Sequence, residues 1–169
     1  MRLVVVCDNL RSRFNVGAIF RTSDGAGVEK MYLCGITPAP PHSRIAKVAL
    51  GAEQSVPWEK CANSLPLLRR LKREGFSIIA LEQTKKSVPY YRLKTKNPPH
   101  QCIGAGVKPI ALVVGTETTG LRPSILRASD RTIEIPMLGK KESLNVAVAF
   151  GIAAYHLRFS AHPAPSPKQ

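Results

Sequence analysis

Three short segments carry glycines and polar side chains where a plain fold would favour apolar ones. The first is Asn15-x-Gly17-x-x-x-Arg21-Thr22. The second is Gly115-Thr116-Glu117-Thr118-Thr119-Gly120-Leu121, directly after an apolar run. In the third, Ile135-Pro136-Met137 leads on to Ser143-Leu144-Asn145. Each falls where a strand gives way to a helix or loop, and open α/β sheets bind ligands at the carboxyl ends of their strands. Glycines there let a ligand approach the backbone, and the first amides of a helix lack intrahelical partners. Taken singly, these residues have ordinary uses. Gly115 and Gly120 suit turns, Asn15 and Asn145 suit helix caps, and a helix arginine such as Arg21 is commonly solvated.

Several other chemistries are excluded by what is missing. No Gly-x-Gly-x-x-Gly follows the first strand, no Gly-Lys-Ser/Thr occurs, and Ser143 has no Gly-x-Ser-x-Gly context. His42, His100, His156 and His162 are scattered and propose neither a metal site nor a triad. Cys7, Cys34, Cys61 and Cys102 form no Cys-x-x-Cys and have no histidine at zinc spacing, so no metal is expected. Each sits in or beside an apolar run, as a buried free thiol would in a reducing compartment.

The elements that must position these segments follow a βαβ rhythm. Residues 3–7, Leu-Val-Val-Val-Cys, read as a strand buried on both faces of a parallel sheet. A helix is expected over 15–26, capped by Asn15, with Val16, Ile19, Phe20 and Ser23 on one side and Arg21 and Asp24 on another. Further strands are expected over 30–34, 76–81, 110–114 and 131–135. Further helices are expected over 43–50, 64–74, 123–128 (with Pro123 at its first position) and 145–159. Residues 94–109 read as loop. The fold class is therefore α/β: a mostly parallel sheet with helices on both faces. Residues 1–160 form one domain, and 161–169 a frayed tail with Pro163, Pro165 and Pro167.

Composition narrows the partners. The 169 residues include 25 Lys and Arg against 11 Asp and Glu, a net charge of +14. The excess is spread evenly: +4 over residues 1–50, +6 over 51–100 and +4 over 101–169. The folded body itself is basic, which points to a polyanionic partner, RNA, DNA or an acidic membrane surface, with a generally solvated basic surface as the plainer alternative. Only a five-residue apolar run follows Arg2, so no signal peptide is expected. No apolar stretch reaches the ~18 residues of a membrane span, and a cytoplasmic location is expected.

In order and spacing the three segments resemble the SpoU/TrmH family of RNA ribose methyltransferases, within the SPOUT class. The likeness runs through Asn15-Val16-Gly17-Ala18-Ile19-Phe20-Arg21-Thr22, then Val113-Val114-Gly115-Thr116-Glu117-Thr118-Thr119-Gly120-Leu121. It ends in Ile133-Glu134-Ile135-Pro136-Met137 with Ser143-Leu144-Asn145-Val146-Ala147-Val148-Ala149. It spans nearly the whole chain, from Leu3 to about Phe159. Thr116 departs from it, since many relatives carry Asn there.

This resemblance implies a deep trefoil knot in the C-terminal part and S-adenosyl-L-methionine as cofactor. Gly115, Thr116, Gly120, Ile135, Met137, Leu144 and Asn145 would bind the cofactor, largely through backbone groups. It implies a homodimer, in which the first segment of one subunit meets the cofactor of the other. The apolar final helix, with Val146, Val148, Ala149, Ile152, Ala153 and Leu157, suits such an interface.

The implied reaction is methyl transfer to a ribose 2′-hydroxyl of tRNA or rRNA, with Arg21 as the catalytic residue. Asn15, Glu117, Ser143 and Asn145 would hold Arg21 and the ribose in place. An arginine base is awkward because its pKa exceeds ~12. Either the site depresses that value strongly, or Arg21 anchors phosphate and stabilises the alkoxide; energetics favour the second. Arg11, Arg13 and Arg44 are the candidates for RNA phosphate contacts. A catalytically silent RNA-binding or assembly factor, and an RNA base methyltransferase, are the alternatives.

Overall fold

The structure, a computed structural model, describes residues 1–93, 108–116 and 118–159. The first strand, β1 (Leu3–Asp8), is buried along its entire length. Then come α1 (Arg13–Gly25), β2 (Lys30–Cys34), α2 (Ser43–Ala49), α3 (Ala52–Ser55), β3 (Trp58–Cys61), α4 (Ser64–Arg73) and β4 (Ser77–Leu81). They are followed by β5 (Val88–Pro89), a 3-10 turn (Tyr90–Arg92), β6 (Ile110–Val114), α5 (Pro123–Ala128), β7 (Arg131–Glu134) and α6 (Val146–Phe159). The strands form one sheet in the order β3-β2-β1-β6-β4-β7-β5, and every described pairing is parallel.

Successive strand side chains point to opposite faces, and helices cover both. On one face Leu3, Val5 and Cys7 pack with Val16, Ile19 and Phe20 of α1 and Phe150, Ala153 and Leu157 of α6. On the other, Val4 and Val6 pack with Leu67, Leu68 and Leu71 of α4 and Ile125 of α5. A central parallel strand must be apolar on both faces, which is why β1 and β6 read as continuous apolar runs. Burial pushes the Cys7 thiol up to about 12 and raises that of Cys34 as well.

The two helices that frame the candidate residues depart from expectation at their starts. α1 begins at Arg13, because the Ser12 hydroxyl accepts the Asn15 N–H (3.2 Å) and caps the helix. Asn15 is therefore not the cap but lies in the first turn. α6 begins at Val146, with Asn145 just before it. Three elements escaped the pattern reading: α3, β3 and β5. Trp58-Glu59-Lys60-Cys61 has no apolar run because it is an edge strand, and Glu59 is spent on Lys30 (2.8 Å) and Arg70 (3.3 Å). β5 is two residues long and contains a proline, which only an edge tolerates. Glu117, Cys102, most of the 94–109 loop and the 161–169 tail lie outside the described residues.

Candidate active site

The central strands end level with one another. Cys7 of β1 and Leu81 of β4 both pair with Val114, the last residue of β6. Beyond these ends lies a cleft of about 330 Å³. Its walls come from the end of β4 (Leu81, Glu82, Gln83), the loop after β6 (Gly115, Thr116, Thr118, Thr119, Gly120) and the segment from Glu134 to the start of α6. Ile135, Met137, Ser143 and Leu144 all line it, with Val146 and Ala149 behind them.

The loop after β6 is closed on itself. Gly120 N–H donates to the Thr116 carbonyl (3.1 Å), and the Thr116 and Thr119 hydroxyls are 2.7 Å apart. Gly120 has φ +64°, a left-handed conformation that favours glycine. At Gly115 a Cβ would stand 2.7 Å from the Gly120 carbonyl carbon and 2.8 Å from the Leu121 nitrogen. Only glycine lets the chain double back here. The cleft therefore exposes backbone groups beside apolar side chains, the mixture that small-molecule sites use.

Its charge is opposite to that of the molecule. Glu82, Glu134 and Glu142 line it, and no Lys or Arg does so among the described residues. Glu82 accepts the Leu121 N–H (2.7 Å) and the Gln83 N–H (3.0 Å), and Glu134 accepts the Ser87 hydroxyl (2.6 Å). These glutamates were missed in the sequence. The rule that singled out Gly115 would have found Glu82, since it too follows directly on an apolar strand.

Beside the cleft, Asn145 does two things. Its Oδ1 accepts the Ala147 N–H (2.9 Å) and caps α6, while its Nδ2 donates to Asn15 Oδ1 (3.1 Å). The first and third segments, 130 residues apart, thus meet side chain to side chain. Gly17 holds the same end of α1 against α2, where a Cβ would meet the Ile45 carbonyl at 2.6 Å.

Arg21 is not brought into the cleft of its own chain. It is exposed on α1, six residues and so about 600° of helical rotation from Asn15, on a different face. Arg11, Arg13 and Arg44 are also exposed and take part in no ion pair among the described residues. A buried polar node braces the neighbouring strand end. Asp8, 2% exposed, accepts from Ser64 and from Arg122 (3.2 Å), the residue just after the glycine loop. Among the described residues no group of three or more His, Cys, Asp or Glu converges on a point, and no helix is long and apolar enough to cross a membrane.

A parallel α/β sheet with helices on both faces, and a glycine-walled cleft where its central strands end, defines a ligand-binding α/β protein of the doubly wound kind. The chain belongs to the SpoU rRNA Methylase family, whose model matches residues 2–155. A tRNA (guanosine(18)-2′-O)-methyltransferase of Aquifex aeolicus is 36% identical over 157 residues, 90% of this chain and 67% of that protein. A 23S rRNA (guanosine-2′-O-)-methyltransferase of Ralstonia nicotianae is 32% identical over 153 residues, 90% of this chain and 57% of that protein. A crystal structure of an AdoMet-bound rRNA methyltransferase from Sinorhizobium meliloti matches with a TM-score of 0.82 at 28% identity, over 93% of this chain and 56% of that one. The chain thus spans a little over half to two thirds of the length of these relatives.

Proposed function

We propose that this chain transfers the methyl group of S-adenosylmethionine to a ribose 2′-hydroxyl of tRNA or rRNA. The observation that carries this is the convergence of the glycine loop and the 135–144 segment on one cleft, with Asn15 and Asn145 joined at its side. The relatives' names support the reaction and the RNA class, and the bound AdoMet of the Sinorhizobium meliloti enzyme supports the cofactor.

The residues present fit such a ligand. Gly115 lets the loop fold back tightly at the edge of the cleft, Ile135, Met137 and Leu144 offer apolar contact, and the three carboxylates suit a cation. When bound, the cofactor supplies an electrophilic methyl group on a cationic sulfur. The chain's own part is to align the ribose hydroxyl, stabilise the oxygen as its proton leaves, and hold the adjoining phosphate. We assign the last two tasks to Arg21, with Asn15, Ser143, Asn145 and Glu117 keeping the ribose and the guanidinium in register. Gly115, Thr116, Gly120, Ile135, Met137 and Leu144 hold the cofactor. Arg11, Arg13 and Arg44 lie on exposed positions from which they can reach RNA phosphates.

The working unit is a homodimer in this reading. Val148 (53% exposed) on α6 and Phe14 (51%) on α1 are exposed apolar side chains near the Asn15–Asn145 end of the two helices, and Tyr155 (43%) is exposed further along α6. The deep knot belongs to the same reading. It is supported by the packing of α6 against α1, β4 and β6, following the segment from Glu134 to Leu144 that lines the cleft at the strand ends. We read residues 1–160 as one methyltransferase unit, working in the cytoplasm without a metal.

The test is direct. Purified protein, S-adenosylmethionine and total tRNA or rRNA are incubated, and the digested nucleosides are analysed by mass spectrometry. A new 2′-O-methyl nucleoside that Arg21→Lys reduces by ~10²–10³ is expected, as for loss of one preorganised electrostatic contact. No cofactor binding at millimolar ligand would remove the enzyme reading, and methylation of a base nitrogen would replace it.

A further inference from the structure

We propose that Glu82 is a positioning residue that clamps the glycine loop onto β4 and so sets the shape of the cleft. This rests on the reading that the cleft takes S-adenosylmethionine. The loop of Gly115, Thr116 and Thr118 to Leu121 is closed by its own hydrogen bonds, which fix its internal shape but not its place against the sheet. Its hydrogen-bonded tie to the neighbouring strand, among the described residues, is Glu82, beside the packing of the buried Leu121 side chain against Ile78 and Ala80 of β4. One carboxylate oxygen accepts the Leu121 N–H at 2.7 Å and the other accepts the Gln83 N–H at 3.0 Å.

The side chain must reach the Leu121 N–H with an acceptor, and the second oxygen adds a bond to the adjacent Gln83 N–H. An ionised carboxylate has no donor to turn against either amide, and bonds to a charged acceptor are about twice as strong as neutral ones. It must also be long enough to cross from the end of β4 to the end of the loop. The fit is close: a Cβ on Gly120 would collide with this carboxylate, so Glu82 occupies the space that the bare glycine leaves. The backbone of Glu82 is itself fixed, its N–H donating to the Ile133 carbonyl of β7 (2.9 Å). One residue thereby links β4, β7 and the loop after β6, the three sources of the cleft wall.

Three variants of the full chain separate reach from charge. Glu82→Ala removes both bonds. Glu82→Asp keeps the charge but is one methylene short. Glu82→Gln keeps the length and one carbonyl acceptor for Leu121. Affinity for S-adenosylmethionine and for S-adenosylhomocysteine is measured by calorimetry, and protection of the Leu121 amide by hydrogen exchange on the ligand-free protein.

We expect Ala and Asp to lose ~10-fold or more in affinity for both ligands, together with the Leu121 protection. Gln should recover most of both, and turnover at saturating cofactor should change less than affinity. A charged Asp that keeps affinity while neutral Gln loses it would overturn the clamp, because charge rather than reach would then matter. Unchanged Leu121 protection in Ala and Asp would overturn it equally. If the wild-type chain binds neither ligand, the reading of the cleft fails, while the exchange series still decides whether Glu82 holds the loop.

Discussion

Asn145 caps α6 and bridges to Asn15, and two substitutions pull these roles apart. Asn145→Ala removes both. Loss of a side-chain cap costs ~1 kcal/mol, and an exposed neutral hydrogen bond adds ~0.5 kcal/mol, the low end of the usual range. The total of ~1.5 kcal/mol should lower the melting temperature by ~3–6 °C for a chain of this size. Asn145→Ser keeps an oxygen that can accept the Ala147 N–H, which Asn145 Oδ1 accepts at 2.9 Å, but cannot span the 3.1 Å bond to Asn15 from its shorter stem. It should cost only ~0.5 kcal/mol, or ~1–2 °C. Both variants free the start of α1 from the start of α6, so both should lose turnover by ~10–100-fold, the scale of a small misplacement at a reacting centre. Thermal denaturation and single-turnover methylation read the two effects separately. A Ser variant as unstable as the Ala variant would refute the cap. A Ser variant with wild-type turnover would refute the bridge.

Two further predictions concern association and pH. Val148→Asp places a charge at a 53% exposed position on α6. Light scattering should then fall from about twice 18.4 kDa towards the single chain, with the fold retained by circular dichroism. A fully active monomer would show that this face is not the interface. Cys7 is neutral in the folded chain up to about pH 12, from a usual value of 9.0, because burial penalises the thiolate. The folded state therefore holds the proton longer, and the stability this contributes is intact below pH 9 and lost as pH rises towards 12. Denaturant titrations at pH 8 to 10.5 should show wild type losing stability more steeply than Cys7→Ala, by up to ~1.4 kcal/mol per pH unit. Equal slopes would refute it.

The sheet was legible because its central strands are buried on both faces and so spell out apolar runs: Leu-Val-Val-Val-Cys for β1 and Ile-Ala-Leu-Val-Val for β6. β3 and β5 were not, because edge strands have one neighbour and are kept short, charged or proline-bearing. The glycine loop and the 135–144 segment were legible from their place at strand ends. Glu82 was hidden by its own ordinariness: a lone glutamate after a strand shows its use only when the amide of Leu121, 39 residues away, is seen to bond to it. The cap of α1 went to Ser12 rather than Asn15 because both are good caps, and only the bond from Asn15 N–H to the Ser12 hydroxyl decides between them.

In the proposed homodimer, the position of Arg21 makes association a matter of chemistry as well as of stability. Ile19 and Phe20 of α1 are buried in the core, and Asn15 points to α6. Arg21 is exposed and does not line the cleft of its own chain. In the proposed dimer a second chain presents it to the ribose, and each working site then takes its cleft from one subunit and its arginine from the other. Such a site can be complemented. Arg21→Ala leaves the cleft whole, while Gly115→Ala puts a Cβ 2.7 Å from the Gly120 carbonyl carbon and spoils it. Each variant alone should be nearly inactive. Unfolded and refolded together in equal amounts, half the dimers are mixed, and one of the two sites in each mixed dimer is intact, so about a quarter of wild-type activity should return. Mixtures no more active than the separate variants, with mixed dimers verified by mass, would place Arg21 in the service of its own chain and break the link between association and catalysis.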